Sequence, residues 1–212
     1  MAQYFAIHPT HPQPRLVRRA AAIVRGGGLI AYPTDSCYAL GCQLGDARAV
    51  ARLRRVRGVD ARHHLTLMCR DLSEIGSYAI LDNAQYRLLK SATPGSYTFI
   101  LRATREVPRR LLHRRRKTIG VRVTRHAVAR ALLGELGEPM LSATLALPGD
   151  AVPLSEGRDI RERLERELDL VLDAGSCGTE PSTVIDLTGD APLVVRRGKG
   201  ALAPFGLDPR NL

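Results

Sequence analysis

The sequence predicts an α/β protein, a mixed sheet with helices packed on it, and two observations carry that prediction. Short apolar runs alternate with amphipathic helical stretches along the chain, the pattern that builds one α/β layer structure. No repeat and no long linker divides the 212 residues, a length that suits one domain, 1–212, with a substantial core.

The first helix is expected over Pro14–Arg25, where Leu16, Val17, Ala20, Ala21, Ile23 and Val24 share a face. Pro14 suits a first helical position, and Gly26-Gly27-Gly28 stops the helix. Leu29–Tyr32 then reads as a short buried strand ended by Pro33. Asp46 is a good cap for a second helix running to Arg57 through Val50, Leu53 and Val56. Leu65–Cys69 is a strand, and Asp82 caps a helix through Tyr86, Leu88 and Leu89. Pro94-Gly95 makes a turn into the strand Tyr97–Leu101, and Ile119–Val123 is a strand with small or polar residues interleaved. Ala127–Leu136 is a helix, Met140–Thr144 a strand, and Ser155–Leu168 a charged amphipathic helix. Strands follow at Leu170–Leu172, Thr183–Leu187 and Leu193–Val195. Some strands succeed one another with no helix between, so the sheet is mixed rather than parallel throughout.

Composition removes several classes. Hydrophobic residues at 44% and charged residues at 25% exclude a disordered chain. No apolar run approaches the ~20 residues of a membrane span. The opening Met1-Ala2-Gln3-Tyr4-Phe5 lacks a basic segment followed by an apolar one, so a cytoplasmic protein with no membrane partner is expected. Cys37, Cys42, Cys69 and Cys177 form no C-x-x-C pair, which speaks against a zinc site or a disulfide scaffold.

The formal charge is +11, from 32 Lys+Arg against 21 Asp+Glu, and Lys90, Lys117 and Lys199 are the only lysines. Arginine binds phosphate through a planar fork of donors and stays charged when partly desolvated. A compositional preference for arginine would give the same total, so clustering says more than the sum. Arg105–Lys117 holds seven basic residues and one acid, and Arg48–Arg62 holds six arginines and one acid. Ser155–Asp173 is net −3, from four arginines and seven acids. Such asymmetry fits a nucleotide or polyanion site, or else a set of solvated helix faces.

Common catalytic templates are missing: the chain has no G-x-G-x-x-G, no G-x-x-x-x-G-K-[ST], no H-E-x-x-H and no G-x-S-x-G. His63-His64 beside Arg62 could touch a phosphate, although adjacent surface histidines are commonly unremarkable. Thr34-Asp35-Ser36 crowd the turn at the end of a strand, where open α/β sheets collect ligands. The same residues could simply form an Asx-type turn in which Asp35 bonds its own backbone. Hydroxyls also end apolar runs at Ser142 and Thr144 and at Ser182-Thr183, and Arg196-Arg197-Gly198 ends another. With Arg55, Arg57 and Arg122 these places suggest a pocket of hydroxyls and guanidinium groups for phosphates and a carboxylate, without a covalent nucleophile.

These segments carry a resemblance. Pro33-Thr34-Asp35-Ser36 through Gly41-Cys42, Leu65–Leu72, and Thr93-Pro94-Gly95 with Tyr97–Leu101 are similar to the YrdC-like proteins. Lys117–Val123, Gly137–Ser142 and Ser182–Asp186 continue the match, which runs from about Ile7 to Phe205 and lies nearest the YciO branch. The resemblance implies an open twisted sheet with a basic concave surface. It also implies L-threonylcarbamoyladenylate synthesis from L-threonine, bicarbonate and ATP with Mg²⁺, serving tRNA modification through a nucleotidyltransferase reaction. By the family pattern Thr34, Arg122 and Ser182 would meet threonine. Arg55, Arg57, Ser142, Thr144 and Arg196 would meet the nucleotide, and the protein would supply no metal ligand. Arg55 replaces the family lysine, Thr144 the asparagine and Ser36 the second threonine of the turn. The alternative is a non-catalytic double-stranded RNA or ribosome binder on the same fold. Arg109, Arg110, Arg114, Arg115, Arg116 and Lys117 are its candidate RNA-facing residues, for duplex RNA or tRNA.

Overall fold

The structure, a computed structural model, describes residues 1–60, 63, 65–112 and 116–206. Its strands are β1 (Gln3–Ala6), β2 (Ile30–Tyr32), β3 (Ala39–Gln43), β4 (Thr66–Cys69), β5 (Tyr97–Arg102), β6 (Thr118–Val123), β7 (Met140–Thr144), β8 (Leu170–Asp173), β9 (Thr183–Asp186) and β10 (Leu193–Arg196). Its helices are α1 (Pro14–Arg25), α2 (Ala47–Arg57), α3 (Leu72–Tyr78), α4 (Asn83–Ala92), α5 (Ala127–Leu136) and α6 (Gly157–Leu164).

Among the described residues the ten strands form one open sheet, ordered β1-β8-β2-β3-β7-β4-β6-β5-β9-β10. It is mixed, as expected: β1–β8, β8–β2, β4–β6 and β5–β9 are parallel, and the other neighbours antiparallel. Local chemistry explains the helix ends. Pro14 opens α1, and Gly27 takes a φ of +82° just after it, a conformation that favours glycine. Asp46 accepts from the Arg48 and Ala49 amides to cap α2, while Asp82 and Gln85 form a reciprocal capping box on α4.

Alternation along the strands divides the two faces of the sheet. Leu67, Cys69, Phe99, Leu101, Ile119, Val121, Val123 and Leu141 enter one large core with Val50 and Leu53 of α2. On the other face α1 and α5 pack together over Ile30, Tyr32, Met68 and Met140. These two helices leave the rest of that face uncovered, and the cavity described below lies there.

Three elements were not expected from the sequence: β1, β3 and α3. β1 is a four-residue edge strand, and β3 is a buried run of small residues between β2 and β7. α3 is only seven residues long and contains Gly76. The expected helix Ser155–Leu168 shrinks to Gly157–Leu164. The chain before it is held extended, with Leu154 N donating to Leu145 O and Ser155 O accepting from Cys177 N. All four cysteines are free thiols. Among the described residues no helix is long and apolar enough to cross a membrane.

Candidate functional site

On the uncovered face, a cavity of about 460 Å³ lies over β3, β7, β4, β6, β5, β9 and β10, a size typical of small-molecule sites. Seven of the eight pocket residues read from the sequence line it: Thr34, Arg57, Arg122, Ser142, Thr144, Ser182 and Arg196. Strand periodicity brings four of them together. Ser142 and Thr144 alternate with core residues along β7, Arg122 lies in β6, and Arg196 ends β10.

Arg55 is a correction. It lies in α2 with Arg57, but residues two apart on a helix face different directions. Arg55 points away from the cavity and pairs with Glu167 at 2.7 Å, keeping 67% of its side chain exposed. Arg57 takes the cavity side, its Nη1 donating to Ala146 O.

Thr34 builds the turn at the end of β2. Its Oγ1 donates to Cys37 O at 2.6 Å and accepts from Ser36 N and Cys37 N at 3.2 and 3.3 Å. The Asx-type turn considered for Asp35 is therefore not formed. Asp35 instead binds the buried Arg122 through Nη2 and accepts from Thr124 Oγ1 at 2.9 Å and Arg125 N at 3.2 Å. Burial alone would raise the Asp35 pKa. The Arg122 charge and the bonds from Arg125 N and Thr124 outweigh it and hold the carboxyl below its ordinary value. Lys199 Nζ reaches the Asp35 carbonyl at 2.7 Å from the segment after β10.

Ser182 lies across the cavity, with its Oγ 2.8 Å from Thr98 Oγ1. Arg196 donates to Ser182 O through Nε at 3.2 Å and Nη2 at 2.9 Å. Desolvation in the cavity lowers the Arg196 pKa, and the charges of Arg122 and Arg57 add to that, although the side chain keeps an exposed edge. Two guanidinium N–H groups here, Arg57 Nε and Arg122 Nε, are buried without a hydrogen-bond partner. Among the described lining residues none is acidic.

Cys37, Thr66 and Thr98 also line the cavity, and the sequence reading did not assign them to it; His63, read there as able to touch a phosphate, lines it too. Thr66 and Thr98 carry the same signal as Gly120 and Arg122: small or polar residues alternating with core residues along a strand. Burial pushes the Cys37 thiol up, so it stays protonated and poorly nucleophilic. Arg62 and His64 lie outside the described residues.

The described RNA-facing candidates lie elsewhere. Arg109 and Arg110 sit on a 3₁₀ turn, and Arg110 Nη2 donates to Gly45 O. Arg116 pairs with Asp186 at 3.5 Å, and Lys117 adopts a φ of +51°. None of these four lines the cavity. Arg114 and Arg115 lie outside the described residues.

Comparison with known proteins matches residues 22–198 to the model of the Sua5, YciO and YrdC family, described as telomere recombination. The YciO protein of Escherichia coli K12, described as uncharacterized, is 54% identical over 205 residues, 97% of this chain and all of that protein. Its crystal structure superposes with a TM-score of 0.94 over the same shares. A threonylcarbamoyl-AMP synthase of Chromobacterium violaceum is 38% identical over 182 residues, 84% of this chain and 92% of that protein. The P. abyssi Sua5 structure complexed with L-threonine is 26% identical with a TM-score of 0.85. It matches 92% of this chain and 57% of that one.

Proposed function

Because the chain belongs to the Sua5, YciO and YrdC family, we propose that its cavity binds L-threonine beside Mg-ATP and makes threonylcarbamoyl-AMP. The observation that carries this reading is the convergence of Arg57, Arg122 and Arg196 on one cavity whose described lining holds no acid. A carboxylate and a phosphate chain are the acceptors that suit guanidinium groups. The synthase of C. violaceum and the threonine complex of P. abyssi Sua5 support the choice of ligands.

The proposed reaction needs no nucleophilic side chain. The threonine amine and bicarbonate give a carbamate and water. A carbamate oxygen attacks the α-phosphorus, forming an O–P bond, while the bond to the β-phosphate oxygen breaks and pyrophosphate leaves. Arg122, oriented by Asp35, holds the threonine carboxylate in the corner of Thr34 and Ser182. Arg57 and Arg196 compensate phosphate charge, so catalysis comes from positioning and electrostatics. No group of three or more His, Cys, Asp or Glu among the described residues could hold a metal ion. In this reading Mg²⁺ enters as part of the substrate, bound to the triphosphate.

The test is pyrophosphate release by the purified protein with ATP, Mg²⁺, bicarbonate and L-threonine. Release that depends on threonine is expected. Release no greater than in a control without threonine overturns the proposal.

A further inference from the structure

Tyr32 ends β2, fully buried, and its hydroxyl lies 2.7 Å from Ser142 Oγ in β7, two strands away. Between them lies Gly41 of β3, the cross-strand partner of Ser142. A Cβ at Gly41 would stand 2.8 Å from the Tyr32 ring and 2.7 Å from the Met140 sulfur. The missing side chain at 41 is what lets the phenol reach the cavity wall.

Counting protons fixes the direction of these bonds. Ser142 Oγ carries one proton and lies 3.2 Å from the Leu40 carbonyl, which can only accept. The Tyr32 hydroxyl also carries one proton, and burial pushes its pKa well up, so that proton stays. One arrangement gives both protons an acceptor: Tyr32 donates to Ser142, and Ser142 donates to Leu40. The reverse leaves a buried phenol proton without a partner, which folded proteins avoid.

We propose that Tyr32 is a positioning residue: it donates to Ser142 Oγ while Leu40 O takes the Ser142 proton, which leaves Ser142 an acceptor toward the cavity. Resting on the nucleotide reading above, this means that Ser142 meets a hydrogen-bond donor of the nucleoside rather than a phosphate oxygen. The donor is a ribose hydroxyl or the adenine amino group. Phosphate recognition falls to Arg57 and Arg196, whose guanidinium groups can only donate.

Calorimetric titration of the full chain tests this. The ligands are the Mg²⁺ complexes of ATP, 2′-deoxy-ATP, 3′-deoxy-ATP, ITP and tripolyphosphate, and the variants are Ser142→Ala and Tyr32→Phe. Ser142→Ala should weaken ATP about threefold to tenfold, the worth of one neutral hydrogen bond, and leave tripolyphosphate unchanged. The effect should vanish on the one analogue that lacks the donor, which tells ribose from base. Tyr32→Phe removes the donor that holds Ser142 Oγ in place and leaves the Ser142 proton on Leu40 O, so ATP should weaken while tripolyphosphate stays unchanged. A merely structural role would move both ligands alike, and thermal melts report the fold separately. Equal losses for ATP and tripolyphosphate in Ser142→Ala overturn the assignment, as does a loss that persists on every analogue. If the wild-type chain fails to bind ATP, the nucleotide reading falls with it. ATP binding with equal losses overturns the Tyr32 assignment alone.

Discussion

Replacing Asp35 by alanine asks whether the Thr34 and Ser182 corner of the cavity is arranged around one buried ion pair. Arg122 and Asp35 keep only 6% and 13% of their side chains exposed. The carboxylate also ties down Thr124 and the Arg125 amide. Removing it leaves a buried guanidinium charge without its partner, which costs about 3–5 kcal/mol when a buried pair is broken. In a chain of this size each kcal/mol shifts the melting temperature by about 2–4 °C, so the expected fall is about 6–20 °C. Asp35→Asn keeps the shape but not the charge, and its Tm should fall between those of wild type and Asp35→Ala. Because the folded Asp35 titrates below its ordinary value of 3.8, the advantage of wild type over Asp35→Asn is complete above that value. It is lost as the pH falls through the lower folded value. Thermal melts of the three proteins between about pH 7 and pH 3 would show both effects. A fall of less than about 2 °C for Asp35→Ala refutes the reasoning, and so does a wild-type advantage that grows as the pH drops.

Arg55→Ala loses one exposed ion pair, worth about 0–1 kcal/mol, and should leave ATP affinity in a calorimetric titration unchanged. Arg57→Ala should weaken Mg-ATP in the same titration by tenfold or more, since charge-assisted bonds contribute about 1.5–3 kcal/mol each. A Cβ at Gly198 would meet Pro181 O and stand 2.7 Å from Ser182 C and 2.8 Å from Ser182 O. Gly198→Ala should therefore displace Ser182 and raise the KM for threonine more than that for ATP, read in the pyrophosphate assay.

What the sequence made legible was whatever a local period sets. The hydrophobic stripe of α1 and the caps of α2 and α4 follow from i, i+3, i+4 spacing and short-range hydrogen bonding, and each is found at its expected place. The cavity wall is a period-2 feature: in Ile119-Gly120-Val121-Arg122-Val123 the odd positions enter the core and the even ones face the cavity. Applied as strictly to Thr66–Cys69 and Tyr97–Leu101, that rule would also have placed Thr66 and Thr98 in the wall. The misplacement of Arg55 was avoidable on the same ground, because helical geometry already separates it from Arg57. β3 escaped for the opposite reason. Ala39, Gly41 and Cys42 are small and the strand is buried between neighbours, so neither alternation nor bulk marks it.

Register lies beyond such reading, and the contacts that build the cavity wall depend on register. Gly41 faces Ser142, about a hundred residues further along the chain, and Ile30 faces Gly41, eleven residues on, through two antiparallel pairings. No local property of Tyr32, Gly41 or Ser142 announces that a phenol crosses a glycine to reach a serine hydroxyl. The ion pair of Asp35 with Arg122 is of the same kind, since the local alternative, an Asx-type turn, was equally consistent with the sequence. In both cases a turn or strand supplies a plausible side chain, and only the order of strands decides what that side chain binds. The overall charge shows the same division. Of the arginines in the basic stretch Arg48–Arg62, Arg57 enters the cavity while Arg55 and Arg52 hold Glu167 and Asp169. A cluster along the chain therefore separates in space into a cavity-lining residue and residues that pair with acids elsewhere on the fold.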